Sequence, residues 1–192
     1  MCGKLIVIAG PSGVGKGTVV REIIRLKKNC RVSISATTRK PRTGEVNGEH
    51  YYFITRQEFE DKIRNKKMLE YERYNGNYYG TPYEYTEQNL KAGFNVILEI
   101  DVKGALNVKK MYPQALLIFL KSPSFAELKK RLICRGTEKP EEVEQRMQVA
   151  HWEMAQAEKF DVLLTNNDVS LVTEEIIGII DKFNVNIKEQ QI

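Results

Sequence analysis

A three-layer α/β fold built on a parallel sheet is what this sequence predicts, and three observations carry the prediction. Short apolar runs alternate with segments bearing helix-start signals, and the first apolar run leads straight into a glycine-rich turn. The middle of the chain then breaks the alternation with a stretch rich in Tyr, Gly, Asn and Arg. The 192 residues, 42% hydrophobic and 29% charged, have the balance of a globular protein and enough length for one domain with a buried core.

Taken in order, Lys4-Leu5-Ile6-Val7-Ile8-Ala9 is a short apolar run abutting a glycine turn. It reads as a buried strand rather than a secretory signal. Core strands are expected at 5–9, 32–35, 96–100, 116–120 and 162–165. An amphipathic helix is expected over 19–27, after the glycine turn. Ser124-Phe125-Ala126-Glu127 is a capping box that starts a helix toward Arg135, and Pro140 opens a long polar helix running to about Glu158. Between Thr37 and Asn95 two more capping boxes stand, Thr55 with Glu58 and Thr81 with Glu84, the second with Pro82 at the first helical position. This stretch reads as a smaller subdomain inserted between two strands of the main sheet.

Composition narrows the function classes. Lys and Arg number 30 against 25 Asp and Glu, a net charge of +5 that favours acidic partners. No Lys/Arg block or RNA-binding signature accompanies it, so no nucleic acid is expected; a small phosphorylated substrate needs only a few placed arginines. No run approaches the ~18 apolar residues of a membrane span, so no membrane association is expected. Cys2, Cys30 and Cys134 are odd in number, widely spaced and lack metal-ligand spacing. They point to a reducing compartment, and the lack of any address to a cytoplasmic location.

Gly10-Pro11-Ser12-Gly13-Val14-Gly15-Lys16-Gly17-Thr18 has the spacing of a phosphate-binding loop. Its glycines let successive backbone N–H groups turn into one cavity, the next helix presents its positive end, and Lys16 adds a point charge at the β- and γ-phosphates. Gly17 stands where Ser or Thr usually follows the lysine, and Thr18 is one residue late for that hydroxyl. Magnesium is therefore expected to be held mostly by ATP oxygens and waters, with no direct protein ligand assigned. Further along, Arg39 and Arg42 lie three apart on a segment stiffened by Pro41, two guanidinium forks that suit a phosphate monoester. Tyr51 and Tyr79 could add phenolic donors beside them, although each taken alone reads as core packing. Glu99 and Asp101 end an apolar strand, where ligand crevices of α/β sheets open.

With those residues in place, the sequence closely resembles the guanylate kinases from Lys4 to about Asp168. The likeness is most specific in the phosphate loop, in 37–45, in Gly76-Asn77-Tyr78-Tyr79-Gly80-Thr81 and in Ile97-Leu98-Glu99-Ile100-Asp101. The resemblance implies one domain over 1–192: a core of about 1–36 and 95–192, a mixed α+β GMP-binding insertion of about 37–94, and a helical lid of about 131–146. It implies ATP-dependent conversion of GMP to GDP, with Mg2+ accompanying ATP, by a monomer or homodimer. Gly10 to Thr18 and Asn166 would then bind ATP. Ser35, Arg39, Arg42, Tyr51, Glu70, Tyr79, Thr81 and Asp101 would bind GMP, with Arg39, Arg42, Tyr51 and Tyr79 on its phosphate and Glu70, Ser35 and Thr81 on its base. One carboxylate can accept from both guanine N1–H and the exocyclic amine, whereas adenine sets a lone pair against it.

Lys16 with Arg131, Arg135 and Arg146 would supply the positive charge that phosphoryl transfer needs, the arginines from a mobile lid. Lys103 and Asn167 depart from the family's usual Gln and Asp. His50 and His151 read as structural and Trp152 as packing. Guanylate-kinase-like domains that bind peptides usually have degraded versions of these sites, and here Lys16, Arg39, Arg42 and Glu70 are all present. A kinase acting on a sugar phosphate would give Glu70 no paired donors, and no Asn-Lys-x-Asp segment marks a GTPase.

Overall fold

The computed structural model describes residues 2–74, 76–134 and 140–189, the side chains of Tyr74 and 184–189 apart. Five parallel strands form the main sheet: β1 (Leu5–Ala9), β2 (Cys30–Val32), β7 (Asn95–Glu99), β8 (Leu116–Lys121) and β9 (Val162–Thr165). They lie in the order β2-β7-β1-β8-β9, with β1 central and paired in parallel to β7 and β8. Each residue of β1 is buried, as a strand covered on both faces requires.

Alternation along β1 builds the two outer layers. Ile6 and Ile8 pack into one apolar cluster with α1 (Lys16–Leu26), α5 (Phe125–Cys134), α6 (Pro140–Ala155) and α7 (Val169–Glu189). Leu5, Val7 and Ala9 face the opposite cluster, with α3 (Tyr83–Lys91) and α4 (Val102–Met111). Helices α1 and α4 follow the neighbouring strands β1 and β7 yet leave to opposite faces of the sheet. That divergence opens a crevice at the strands' carboxyl ends, where α/β proteins bind ligands.

The expected middle strand at 32–35 is corrected by the structure. Core pairing ends at Val32, and the chain runs through 33–35 without strand structure before β3 (Ala36–Thr37) joins a second sheet. One extended segment therefore serves two sheets, and Ser33 and Ser35 mark the crossing. The second sheet has the order β4-β3-β6-β5, with β4 (Tyr52–Phe53), β5 (Met68–Tyr74) and β6 (Asn77–Pro82). Helix α2 (Arg56–Arg64) carries Phe59, fully buried and stacked on Tyr78 at 5.1 Å.

Two capping expectations part company here. Thr55 and Glu58 make the reciprocal box: the Thr55 hydroxyl accepts from Glu58 N at 3.2 Å and the Glu58 carboxylate accepts from Thr55 N at 2.7 Å. Thr81 does not cap α3. Pro82 holds that position without a side-chain bond, because Thr81 is still in β6, paired across the ladder with Glu70. Ser124 does cap α5, accepting from Glu127 N at 3.1 Å, while the Glu127 carboxylate turns to Arg131 instead of back to the cap. The polar helix α6 ends at Ala155 and a 3-10 turn follows over Ala157–Lys159. Among the described residues, no helix is long and apolar enough to cross a membrane, and the three cysteines are free.

Loss of the reciprocal cap should be measurable on its own. Thr55→Ala should lower unfolding stability by about 1 kcal/mol in urea titrations. A change of less than about 0.3 kcal/mol would show that the bonds at Thr55 contribute nothing net.

Candidate active site

The crevice at the end of the main sheet is a cleft of about 560 Å³ whose walls come from both sheets and from α6. The phosphate loop forms one wall. Gly15 sits in the left-handed region at φ 96°, and a Cβ there would stand 2.6 Å from the Asn166 side-chain nitrogen, so the loop's curl needs glycine at this point. Helix α1 begins at Lys16, three residues earlier than the amphipathic pattern alone indicates, which puts the lysine in its first turn. The Lys16 ammonium donates to Gly10 O at 2.6 Å and Pro11 O at 3.1 Å, spanning the mouth of the loop.

Behind the loop stand two of the expected residues. Asn166, buried, donates from Nδ2 to Val14 O at 2.8 Å. Arg131 donates to Val14 O at 3.4 Å and Asn166 O at 3.2 Å, and its Nε pairs with Glu127 at 2.9 Å. Neither lines the cleft, and nor do Pro11, Val14 or Thr18. Arg146, on α6, does line it and donates to the Ser12 hydroxyl. Arg135 lies outside the described residues.

The opposite wall comes from the second sheet. Ser35, Arg39, Arg42, Tyr51, Glu70 and Tyr79 all border the cleft, and Asp101 borders it from the first sheet. Tyr51 and Tyr79 meet edge to face at 6.2 Å, and the Arg39 guanidinium lies over the Tyr51 ring at 5.0 Å. Burial raises the Tyr51 phenol above its ordinary pKa, so it stays a donor.

Glu70 is buried on β5. Its cross-strand partner Thr81, fully buried, donates to Oε1 at 2.8 Å. A Cβ on Gly104 would come within 2.9 Å of Oε2, so glycine here lets α4 approach the carboxylate without displacing it. Burial pushes the Glu70 carboxyl up to about 7, against the lowering effect of the Thr81 bond. Asp101 caps α4, accepting from Gly104 N at 2.7 Å.

Several cleft residues were not singled out by sequence. Glu72 and Arg73 follow Glu70 on β5, and Glu72 pairs at 2.7 Å with Lys103 at the start of α4, a residue noted above only for its departure from the family. Trp152 is corrected: it does not pack in the core but lines the cleft with Val149, 48% exposed. Glu153, also on α6, is 6% exposed, and burial holds its carboxyl up at about 7 despite Lys16 nearby. Helical spacing was the available signal, since Arg146, Val149 and Glu153 recur at three and four residues along one face. His151 stacks on Phe125 at 4.0 Å, as a structural residue would.

The raised Glu153 carboxyl makes a stability statement with a definite sign. Its folded-state value of about 7 exceeds the ordinary 4.5, so its contribution is full below pH 4.5 and is lost as pH rises through 7. Glu153→Gln should therefore gain on the wild type by up to about 3 kcal/mol between pH 5 and pH 8. A stability difference that stays flat over that range, by chemical denaturation, would rule out a carboxyl buried in this way.

Comparison with known proteins agrees with the geometry. The family model for guanylate kinase matches residues 2–183. A guanylate kinase of Prochlorococcus marinus subsp. pastoris is 48% identical over 177 residues, covering 92% of this chain and 96% of the relative. One from Bacillus cereus is 49% identical over 179 residues, 93% of this chain and 87% of the relative. The crystal structure of guanylate kinase from Anaplasma phagocytophilum superimposes with a TM-score of 0.79 at 30% identity, covering 94% of this chain and 86% of that one. A parallel core carrying the phosphate loop, a second sheet carrying the buried carboxylate with Arg39 and Arg42 on the connection after β3, and matches across almost the whole length lead to one conclusion: the chain belongs to the guanylate kinase family.

Proposed function

We propose that this chain transfers the γ-phosphoryl group of ATP to GMP, giving ADP and GDP. The observation that carries this reading is that one cleft holds Lys16 and its glycine loop on one side and Arg39, Arg42, Tyr51, Tyr79 and Glu70 on the other. The loop amides and the start of α1 hold the β- and γ-phosphates of ATP, with Lys16 between them and Asn166 keeping the loop's shape from behind. Arg39, Arg42, Tyr51 and Tyr79 grip the phosphate of GMP. Glu70, steadied by Thr81 and flanked by Ser35, accepts from guanine N1–H and the exocyclic amine. The insertion of about 37–94 then acts as the acceptor-binding unit. About 131–146 acts as a lid that brings Arg135 and Arg146 around the moving phosphoryl group and excludes water, while Arg131 braces the phosphate loop from behind.

The donor set fits magnesium in a limited way. Among the described residues no group of three or more acidic, His or Cys side chains could form an all-protein metal site. Gly17 contributes no hydroxyl, and the carboxylate of Glu99 stands 3.2 Å from where its Cβ would be. Glu99 and Asp101 are hard oxygen groups that would face the water shell of a magnesium ion carried by ATP. When bound, that ion supplies charge neutralisation on the phosphate oxygens. A cytoplasmic monomer or homodimer is the setting we assign to this chemistry.

The direct test is ADP release with ATP and magnesium, comparing GMP, AMP, CMP and UMP. Turnover with GMP alone, lost in Lys16→Ala, is expected; ADP formed only with another acceptor would overturn the base-reading role of Glu70. Arg135→Ala and Arg146→Ala should each lower kcat strongly with modest loss of GMP affinity, and near-normal kcat in both would refute the lid assignment. Glu70 also sets a pH dependence. Only its ionised form accepts both guanine donors, so GMP binding should weaken roughly tenfold from pH 8 to pH 6 as a group near 7 takes up its proton. The dependence on Glu70 should vanish in Glu70→Gln, measured by calorimetry against a phosphate-only competitor that titrates identically in both proteins.

A further inference from the structure

We infer that Glu45 is the positioning residue of the acceptor-phosphate clamp, holding Arg39 so that a single edge of its guanidinium faces the cleft. The inference rests on the proposed function and deepens it at the acceptor end. Glu45 Oε2 accepts from Arg39 Nη1 at 2.6 Å and Oε1 from Nη2 at 2.6 Å, a bidentate pair. Oε2 also accepts from the Arg42 backbone N at 2.7 Å, and Glu45 N donates to Arg42 O at 3.1 Å. One carboxylate thus sets both the side chain of the first arginine and the backbone of the second.

A guanidinium offers two forks, the end edge of Nη1 with Nη2 and the side edge of Nε with Nη2. Glu45 occupies the end edge, and Nη1 spends its second hydrogen on Lys40 O at 2.9 Å. The bonds Arg39 makes within the chain leave the side edge to bind an acceptor. Rings fix the plane as well: the guanidinium carbon lies 5.0 Å from the Tyr51 centroid and 5.5 Å from that of Phe53.

Position separates support from competition. Arg39, Arg42 and Tyr51 line the cleft, whereas Glu45 does not, so its carboxylate stands behind the arginines rather than in the place of a phosphate. The pair is well sheltered, with side-chain exposures of 13% for Arg39 and 17% for Glu45. Such a pair is screened less than a surface one and holds its geometry. The Arg39 hydrogen bonds hold the Glu45 carboxyl down at about 2, so it remains an acceptor at every working pH. A guanidinium freed from this hold would lose its fork geometry toward the phosphate while leaving the guanine end of the cleft untouched.

The experiment is calorimetric titration of GMP and of guanosine into the wild type, E45Q, R39K and the double variant. Guanosine shares the base and sugar but not the phosphate, so it reports folding and the base site together. E45Q should weaken GMP about 10- to 100-fold, the loss of one or two charge-assisted bonds. Guanosine should change by less than about twofold. R39K removes the fork itself, so the double variant should bind GMP no more weakly than R39K alone. Unchanged GMP binding in E45Q, equal weakening of GMP and guanosine, or additive losses in the double variant would each overturn the positioning role. Tighter GMP binding in E45Q would overturn it too, by showing that Glu45 competes with the phosphate. Should E45Q fail to fold, E45D, which keeps the charge and shortens its reach, carries the same comparison, with a GMP-selective loss expected. A wild type that turns over another acceptor and binds GMP no better than guanosine defeats the proposed function itself, and the inference with it.

Discussion

Everything at this site depends on the pairing of β1 with β7 and the divergence of the helices that follow them. Parallel pairing brings Ile8 level with Glu99, so the phosphate loop and the acidic end of β7 emerge side by side. Because α1 packs with Ile6 and Ile8 while α4 packs with Val7 and Ala9, the chain ends of the two strands are drawn apart. The cleft is the gap that results. A one-residue slip in either strand would exchange its buried faces and misplace the loop against Glu99 and Asp101 together.

That constraint explains why the second sheet sits where it does. The chain leaves β2 at Val32 and reaches β3 at Ala36, and Ser35 at that crossing borders the cleft. The insertion is then tied back to the core at β5, where Glu70 meets Gly104 of α4, and where Lys103 pairs with Glu72. A larger residue at 104 would press on the Glu70 carboxylate and shift it, so the position of that side chain depends on a glycine in α4. Burial at that contact also raises the Glu70 carboxyl.

Much of this was legible in the sequence because the signals were local. A strand–glycine loop–helix pattern declares itself within one short segment, and Thr55 with Glu58 declares a helix start within four residues. Thr81 with Glu84 carries the same local code and means something else, because ladder pairing with Glu70 claims the hydroxyl first. The strand expected over 32–35 is corrected for a related reason: alternation marks extended backbone and cannot tell which of two sheets it joins. Glu153 and Trp152 were missed since a helix face becomes a cleft wall only through tertiary packing. Resemblance supplied what spacing could not, the joining of residues 35, 70 and 101 into one site.

Three carboxylates near this basic cleft show how burial and partners divide their labour. Glu45 has an arginine fork and a backbone amide, and its carboxyl is held far down; Glu70 has one hydroxyl and deep burial, and its carboxyl rises. Glu153 lies near Lys16 and rises as well, because a nearby charge without a close hydrogen-bonded fork does not offset desolvation. Net charge, therefore, says little about how such a site handles a phosphate and a base. Glu45 stays bonded to Arg39 and to the Arg42 amide without lining the cleft, and under the proposed function that bonding orients the arginines toward the acceptor phosphate. Glu70 keeps Thr81 as its partner in the cleft wall, and under the proposed function guanine's N1–H and exocyclic amine add the further donors.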